Sequence, residues 1–230
     1  MKLFGPHLAI EERKFFHSLV FPLFFAFVLF TIKLVEELEG LSFVKYGAVP
    51  HSSDGFLRIF TFPFIHKDWG HLFGNASSLV ILGCVLFYFY SKVAYQAFFT
   101  IWILSGLGIW LGGRESYHIG ASGLVYGLIL FLLVGSVYQR SKPMAAVAFL
   151  VILFYGSFIW GMIPVMPNLP YSWEVHLWGA IAGVITAIIY GKAEVTGVSQ
   201  EPVYSFEQDE EENLDEDRYW EIPPNDDESK

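Results

Sequence analysis

Six uncharged, mainly apolar stretches long enough to cross a bilayer run along the chain. A bilayer core of about 30 Å requires roughly 17–25 helical residues for each crossing. The stretches of this kind fall at about residues 15–32, 70–91, 93–113, 122–139, 143–163 and 175–191. Pro22 does not exclude the first, since neighbouring helices can satisfy the carbonyl that a proline frees. The pattern predicts an all-α, polytopic membrane protein with six spans.

The cationic residues assign an orientation to these spans. An even number of spans puts both termini on one side, and the positive-inside rule identifies that side as cytoplasmic by its lysines and arginines. The side shared by the termini is flanked by Lys2, Arg13, Lys14, Lys92, Arg140, Lys142 and Lys192. The opposite side carries fewer cationic residues, which are spread over longer loops and mixed with acids. We therefore expect a plasma or inner membrane protein with cytoplasmic termini.

Composition supports this interpretation and divides the chain. The chain has 230 residues, 54% of them hydrophobic, which is more apolar surface than a soluble domain of that length can bury. The net charge of −9 comes from the C-terminus, where residues 201–230 hold thirteen acids and two bases. Such a segment is expected to be disordered. We predict a cytoplasmic segment 1–14, a membrane domain 15–191 and an acidic cytoplasmic tail 192–230.

Two further features bear on organisation. Residues 33–69 are predicted to form a long outer loop without regular structure. Its aromatic stretch "LRIFTFPFIHKDWG" favours partial embedding in the membrane interface. The chain has one cysteine, Cys84, so neither an intrachain disulfide nor a thiolate metal cluster is possible.

Polar residues within the spans are the candidates for chemistry, because such groups are costly in a membrane. His71 and Asn75 are four residues apart at the start of the second span, and so are Ser122 and Tyr126 at the start of the fourth. His176 opens the sixth span. Spans two, four and six all begin on the outer side, so these side chains share one membrane depth. Hydrogen bonding between helices is the simpler role for His71 and Asn75.

Glycines at a spacing of four indicate that the fourth and sixth spans approach closely. The pairs are Gly123 with Gly127 and Gly179 with Gly183. Close approach could put His176 beside Ser122, and an imidazole beside a hydroxyl is the minimum for nucleophilic catalysis. The Ser122 amide at a helix N-terminus, with His71 and Asn75, could stabilise an oxyanion.

Each candidate also has a simpler explanation. A lone serine such as Ser122 is usually a helix cap or a small packing residue. His176 alone could be an interfacial residue whose ring reaches the membrane surface. His118, four residues before Ser122, is a rival base, whereas Glu174 would point away from His176 on a helix and is not assigned a catalytic role.

Three motifs, in order, resemble those of the rhomboid intramembrane serine proteases. They are "HLFGN" (His71, Asn75), "GASG" (Gly120, Ser122, Gly123) followed by Tyr126, and "HLWGAIAG" (His176, Gly179, Gly183). The resemblance covers roughly residues 15–191 and extends to Arg58 and His66 in the first loop. Two departures are minor: Leu57 stands where the family often has Trp, and Ala121 occupies the variable position of the serine motif.

The resemblance implies a six-helix bundle with a partly embedded first outer loop. It implies a dyad of the nucleophile Ser122 and the base His176, with no acidic third member. Tyr126 would stack on His176, and His71, Asn75 and the Ser122 amide would form the oxyanion hole. The glycines listed above, with Gly120, would be packing residues, and Arg58 and His66 structural loop residues.

The family cleaves transmembrane segments of other proteins near the outer membrane surface, without a cofactor or metal ion. The expected partners are therefore membrane protein substrates and lipids, not nucleic acid, with an active site that opens to the extracytoplasmic side. Activity should fall when acid protonates His176, because a protonated imidazole cannot act as a base. A rhomboid-like protein that binds membrane clients without cleaving them is the alternative. A small transporter ranks below both, because the polar groups cluster near one surface.

Overall fold

A computed structural model describes residues 6–53, 55–163 and 172–196. The α-helices of this part are α1 (Pro6–Leu38), α2 (Gly55–Arg58), α3 (Trp69–Phe89), α4 (Ala94–Gly112), α5 (Ser122–Gln139), α6 (Lys142–Tyr155) and α7 (Trp173–Tyr190). Short 3-10 helices cover Val44–Tyr46, Phe62–Phe64 and Gly156–Met162. The acidic stretch 201–230 lies outside the described residues.

Six helical segments of the described chain are long and apolar enough to cross a membrane, which confirms the predicted number of spans. They are Glu11–Leu38, Trp69–Phe89, Ala94–Gly112, Ser122–Gln139, Lys142–Met162 and Trp173–Tyr190. The fifth changes character along its length, because the α-helix ends at Tyr155 and a 3-10 helix continues to Met162. The 3-10 segment contains Phe158 and Gly161, which contact Tyr126 and His176 at the candidate site.

The prediction of an irregular loop over residues 33–69 was wrong in part, because α1 continues to Leu38 and the loop contains three short helices. The helix accommodates charge by pairing it. Lys33 Nζ lies 2.9 Å from Glu36 Oε2, and both residues are buried. Glu36 also accepts a hydrogen bond from the Phe43 amide, and Lys33 donates to the Lys67 carbonyl. Lys and Glu are good helix formers, so the end of the uncharged run does not mark the end of the helix.

Helix α5 lies at the centre of the bundle and packs against α3, α4, α6 and α7, while α1 packs against α3. Leu124, Leu128, Phe131 and Leu132 of α5 are fully buried. Of the six membrane-spanning segments, α5 has the largest buried share, 67%. Its first residue, Ser122, therefore lies inside the bundle.

Glycines set the distance between α5 and α7. A Cβ atom built at Gly179 would lie 2.8 Å from the Gly123 Cα, and one at Gly183 would lie 2.9 Å from the Gly127 Cα. Because no side chain separates the two backbones, they approach more closely than larger residues would allow. This contact holds the start of α7 beside the start of α5.

The first loop packs against the connection between α4 and α5. Ala48 and His118 form an antiparallel bridge, with N–O distances of 2.9 and 2.8 Å. The Gly120 amide donates to the Phe62 carbonyl at 2.9 Å, and Phe62 is fully buried. The loop thus fixes the turn that leads into Ser122.

Candidate active site

The polar residues singled out from the sequence converge at one end of the bundle. His71 is the third residue of α3, Ser122 the first of α5 and His176 the fourth of α7. One cavity of about 250 Å³ is lined by His71, Asn75, Ser122, Tyr126 and His176, together with Gly70, Gly74, Val125 and Phe158. Five side chains from three helices therefore face a single space.

A second cavity, of about 420 Å³, shares His71, Ser122 and His176 with the first. It is also lined by the exposed residues Lys67 and Asp68. The shared lining gives Ser122 a route to the surface of the bundle, lined by polar and apolar atoms. Hydrolysis requires such a route for water.

The hydroxyl of Ser122 does not cap its helix. The N-cap of α5 is Ala121, with no side-chain capping bond, and Ser122 is the first helical residue. Ser122 is nevertheless buried, with 6% of its surface exposed. The simplest explanation for a serine at this point of the sequence, a helix cap, therefore does not apply.

Two contacts fix the imidazole of His176, one on a face of the ring and one at a ring nitrogen. Its ring stacks on that of Tyr126, with 4.3 Å between centroids and 9° between planes. Its Nδ1 lies 2.9 Å from the carbonyl oxygen of Gly161. A carbonyl only accepts hydrogen bonds, so Nδ1 carries the hydrogen, and in the neutral ring Nε2 keeps its lone pair. Such a ring can take a proton at Nε2.

Two side chains of α3 lie against the turn before Ser122. The side-chain nitrogen of Asn75 is buried and has no acceptor among the described residues. Gly120 has a φ of +102°, and a Cβ there would lie 2.7 Å from His71 Cε1 and 3.4 Å from Asn75 Nδ2. Only glycine allows both this backbone conformation and this approach. The arrangement leaves a buried donor without an acceptor next to the serine turn.

His66 and Arg58 lie in the first loop and line neither of these two cavities. His66 is buried and its Nε2 accepts a hydrogen bond from the Ala121 amide at 3.4 Å. Burial lowers the pKa of His66 to about 3, so the ring stays neutral and can accept. The Arg58 guanidinium lies 6.0 Å from the centroid of the Tyr117 ring.

His118, the rival base in the sequence, is engaged elsewhere. It is fully buried, its Nδ1 hydrogen-bonds with Ser172 Oγ, and its Nε2 lies 3.0 Å from the Arg114 carbonyl. Because both ring nitrogens are occupied within the α4–α5 loop and its contact with α7, His118 has a structural role.

Glu174 has a role that the sequence reasoning missed. It is 2% exposed, forms an ion pair with Arg114, and its Oε2 lies 3.2 Å from Ser172 Oγ. The pair ties the α4–α5 loop to the first turn of α7, two residues before His176. A signal was present in the sequence, because a carboxylate at the edge of a span requires a partner.

Comparison with known proteins gives matches over most of the membrane domain. The sequence-family model of the Rhomboid domain matches residues 53–193. An uncharacterized protein of Mycobacterium bovis and one of Mycobacterium tuberculosis are each 34% identical over 177 residues, which cover 74% of this chain and 74% of theirs. An uncharacterized protein of Mycobacterium leprae is 30% identical over 177 residues, 74% of this chain and 70% of that protein.

Proposed function

This chain belongs to the rhomboid family, and on that premise we propose that it is an intramembrane serine endopeptidase with Ser122 as nucleophile and His176 as general base. The observation that carries the proposal is the single cavity lined by Ser122, His176, His71 and Asn75. Family membership alone does not decide activity, whereas a hydroxyl, an imidazole and hydrogen-bond donors around one space are the parts that acyl transfer requires.

In the proposed first step, Ser122 Oγ attacks the scissile carbonyl carbon and its proton passes to His176 Nε2. The carbonyl oxygen becomes an oxyanion, which accepts hydrogen bonds from the Asn75 side chain, His71 and the Ser122 amide. The buried Asn75 nitrogen has no acceptor among the described residues, which supports this role. An unpaired buried donor costs folding free energy, so its presence calls for an explanation such as a catalytic function.

The intermediate then collapses to an ester of Ser122. His176 gives its proton to the leaving amine, so the peptide bond breaks and the N-terminal part of the substrate stays on the serine. Water from the larger cavity attacks the ester while His176 takes up its proton. His176 then returns this proton to Ser122 Oγ as the bond between that oxygen and the acyl carbon breaks and the carboxylic acid leaves. No carboxylate of the described chain is assigned to these steps.

The proposed substrates are membrane proteins whose spanning segments reach this end of the bundle. The serine lies at the start of an 18-residue apolar helix, so a peptide bond that meets it lies at the edge of the membrane, not at its centre. The distribution of cationic residues supports cytoplasmic termini and a cavity that opens to the extracytoplasmic side.

The test is cleavage of a single-span substrate by purified protein in lipid vesicles, with mass spectrometry of the products. We expect wild-type protein to cleave and the Ser122→Ala and His176→Ala variants not to cleave. Ser136→Ala is the matched control, because Ser136 is a buried serine of the same helix whose hydroxyl donates to the Leu132 carbonyl. Normal cleavage by Ser122→Ala would refute the proposal.

A fluorophosphonate probe separates the protease from a client-binding protein of the same family. The probe labels a serine only where a base activates the hydroxyl. Labelling of wild-type protein that is lost in both Ser122→Ala and His176→Ala supports the protease. A folded wild-type protein that binds membrane clients and stays unlabelled would indicate the client-binding function.

A further inference from the structure

We propose that the backbone carbonyl of Gly161 is the positioning group of the His176 base and fills the place that a carboxylate occupies in a serine–histidine–aspartate triad. The inference rests on the proposed function, since it concerns the same base. In a triad, the third member fixes the tautomer and the orientation of the imidazole. A dyad without a carboxylate needs another acceptor for Nδ1–H.

The geometry of the contact fits this role. The Gly161 oxygen lies 2.9 Å from His176 Nδ1, within the range of a good hydrogen bond. The bond selects the tautomer with hydrogen on Nδ1, which leaves Nε2 as the base. The Tyr126 ring covers one face of the imidazole and fixes the plane in which Nε2 lies. Together the two contacts define both the protonation pattern and the direction of the base.

Residue 161 must be small for the contact to exist. A Cβ atom at Gly161 would lie 3.1 Å from His176 Nδ1 and 3.2 Å from Tyr126 Cζ, and would overlap the tyrosine hydroxyl. A larger residue would therefore push its own carbonyl away from the imidazole. At Gly156, in the same 3-10 helix, the nearest atom to such a Cβ is the Ile152 Cγ2 at 3.8 Å.

The Gly161 carbonyl belongs to the 3-10 segment Gly156–Met162, which forms one wall of the site. In the segment Gly156–Met162, Phe158 packs on the Tyr126 ring at 5.6 Å between centroids. Trp160, next to Gly161, has 65% of its surface exposed on the outside of the bundle. The orientation of the base thus depends on the docking of a membrane-facing segment, so displacement of this wall would release Nδ1.

The test compares Gly161→Ala with Gly156→Ala in the full chain. The first readout is the rate of fluorophosphonate labelling of Ser122. The second is ¹⁵N NMR of histidine-labelled protein at neutral pH, which distinguishes the two imidazole tautomers, with His176→Gln used to assign the signal. We expect Gly161→Ala to lower the labelling rate at least about tenfold and to lose the Nδ1–H form, and Gly156→Ala to match wild type.

Phe158→Leu is a second variant that leaves residue 161 intact and loosens the wall, and we expect it to lose part of the Nδ1–H signal. Wild-type tautomer and labelling rate in folded Gly161→Ala would overturn the inference. So would an Nε2–H tautomer in wild-type protein. If wild-type protein is never labelled but His176 has hydrogen on Nδ1 that Gly161→Ala removes, the positioning stands while the proposed protease function fails.

Discussion

The ring of Tyr126 lies parallel to the imidazole of His176, with 4.3 Å between their centroids. Tyr126 is one helical turn after Ser122 on α5, so a single helix carries both the serine and the surface on which the histidine rests. The glycine contacts between α5 and α7 bring the two rings together, since they remove the side chains that would separate the helices.

Removal of the Tyr126 ring should slow the reaction without abolishing it. An aromatic stack contributes about 0.5–1.5 kcal/mol beyond its buried area, so Tyr126→Leu should lower kcat by about 2-fold to 12-fold. Tyr126→Phe keeps the ring and should lose less activity than Tyr126→Leu. Steady-state cleavage of a single-span substrate measures both. Equal kcat values for the leucine and phenylalanine variants would show that the stack does not position the base.

Loss of the Asn75 amide should affect the rate more than substrate binding. Removal of one oxyanion donor costs about 10²–10³ in kcat, because the donor acts on charge that develops in the transition state. We expect Asn75→Ala to show this loss with little change in KM. Ser77→Ala, an exposed position of the same helix, is the control for purification and folding. A change in KM alone would assign Asn75 to substrate binding instead.

Disruption of the ion pair between Arg114 and Glu174 should lower the free energy of unfolding. Arg114→Gln leaves a carboxylate that is 2% exposed without its partner. Arg114 itself is half exposed, so water screens the pair and the expected cost is about 1–2 kcal/mol, below the roughly 3–5 kcal/mol of a fully buried pair. Thermal unfolding in detergent should show this loss.

The double variant Arg114→Gln/Glu174→Gln shows whether the loss of stability comes from the ion pair or from packing. Because neither charge remains, we expect it to be more stable than Arg114→Gln alone, and a double-mutant cycle then gives the coupling energy. If the double variant were as unstable as the sum of the two single variants, the residues would contribute by packing and not as a pair.

Stability should fall in mild acid because of two buried loop histidines. Burial lowers the pKa of His66 to about 3 and also lowers that of His118, whereas an unfolded histidine takes up a proton near pH 6.5. A histidine whose pKa is lower in the folded than in the unfolded protein makes its full contribution to the free energy of unfolding above about pH 6.5. That contribution is lost as the pH falls toward the folded pKa. The loss is at most about 1.4 kcal/mol per pH unit for each group.

Thermal unfolding midpoints between pH 7.5 and 5 test this. His66→Gln offers an amide oxygen to the Ala121 amide but does not titrate, so its midpoint should depend less on pH. Ser77→Ala, at an exposed position of α3 that carries no titratable group, should keep the wild-type dependence. An unchanged slope in His66→Gln would mean that other groups set the acid sensitivity.

Local patterns were enough for the number of spans and for residues that line the candidate cavity. Uncharged runs predicted six membrane helices, because a bilayer penalises every unpaired polar group. The same penalty made Ser122, His176 and Asn75 conspicuous. The end of the first helix was misjudged, because the prediction ended it with the uncharged run, whereas Lys and Glu are good helix formers and α1 continues to Leu38.

The sequence by itself determined which segments can enter a membrane and which polar residues lie at one depth, since both follow from residue type and helical spacing. Only the tertiary structure decided what each side chain meets. The hydrogen bond from His176 to Gly161, the occupied nitrogens of His118 and the burial of Glu174 join residues distant in the chain or depend on side-chain direction. A backbone carbonyl is present in every residue, so its use as an acceptor for one imidazole has no signature until the chain is folded.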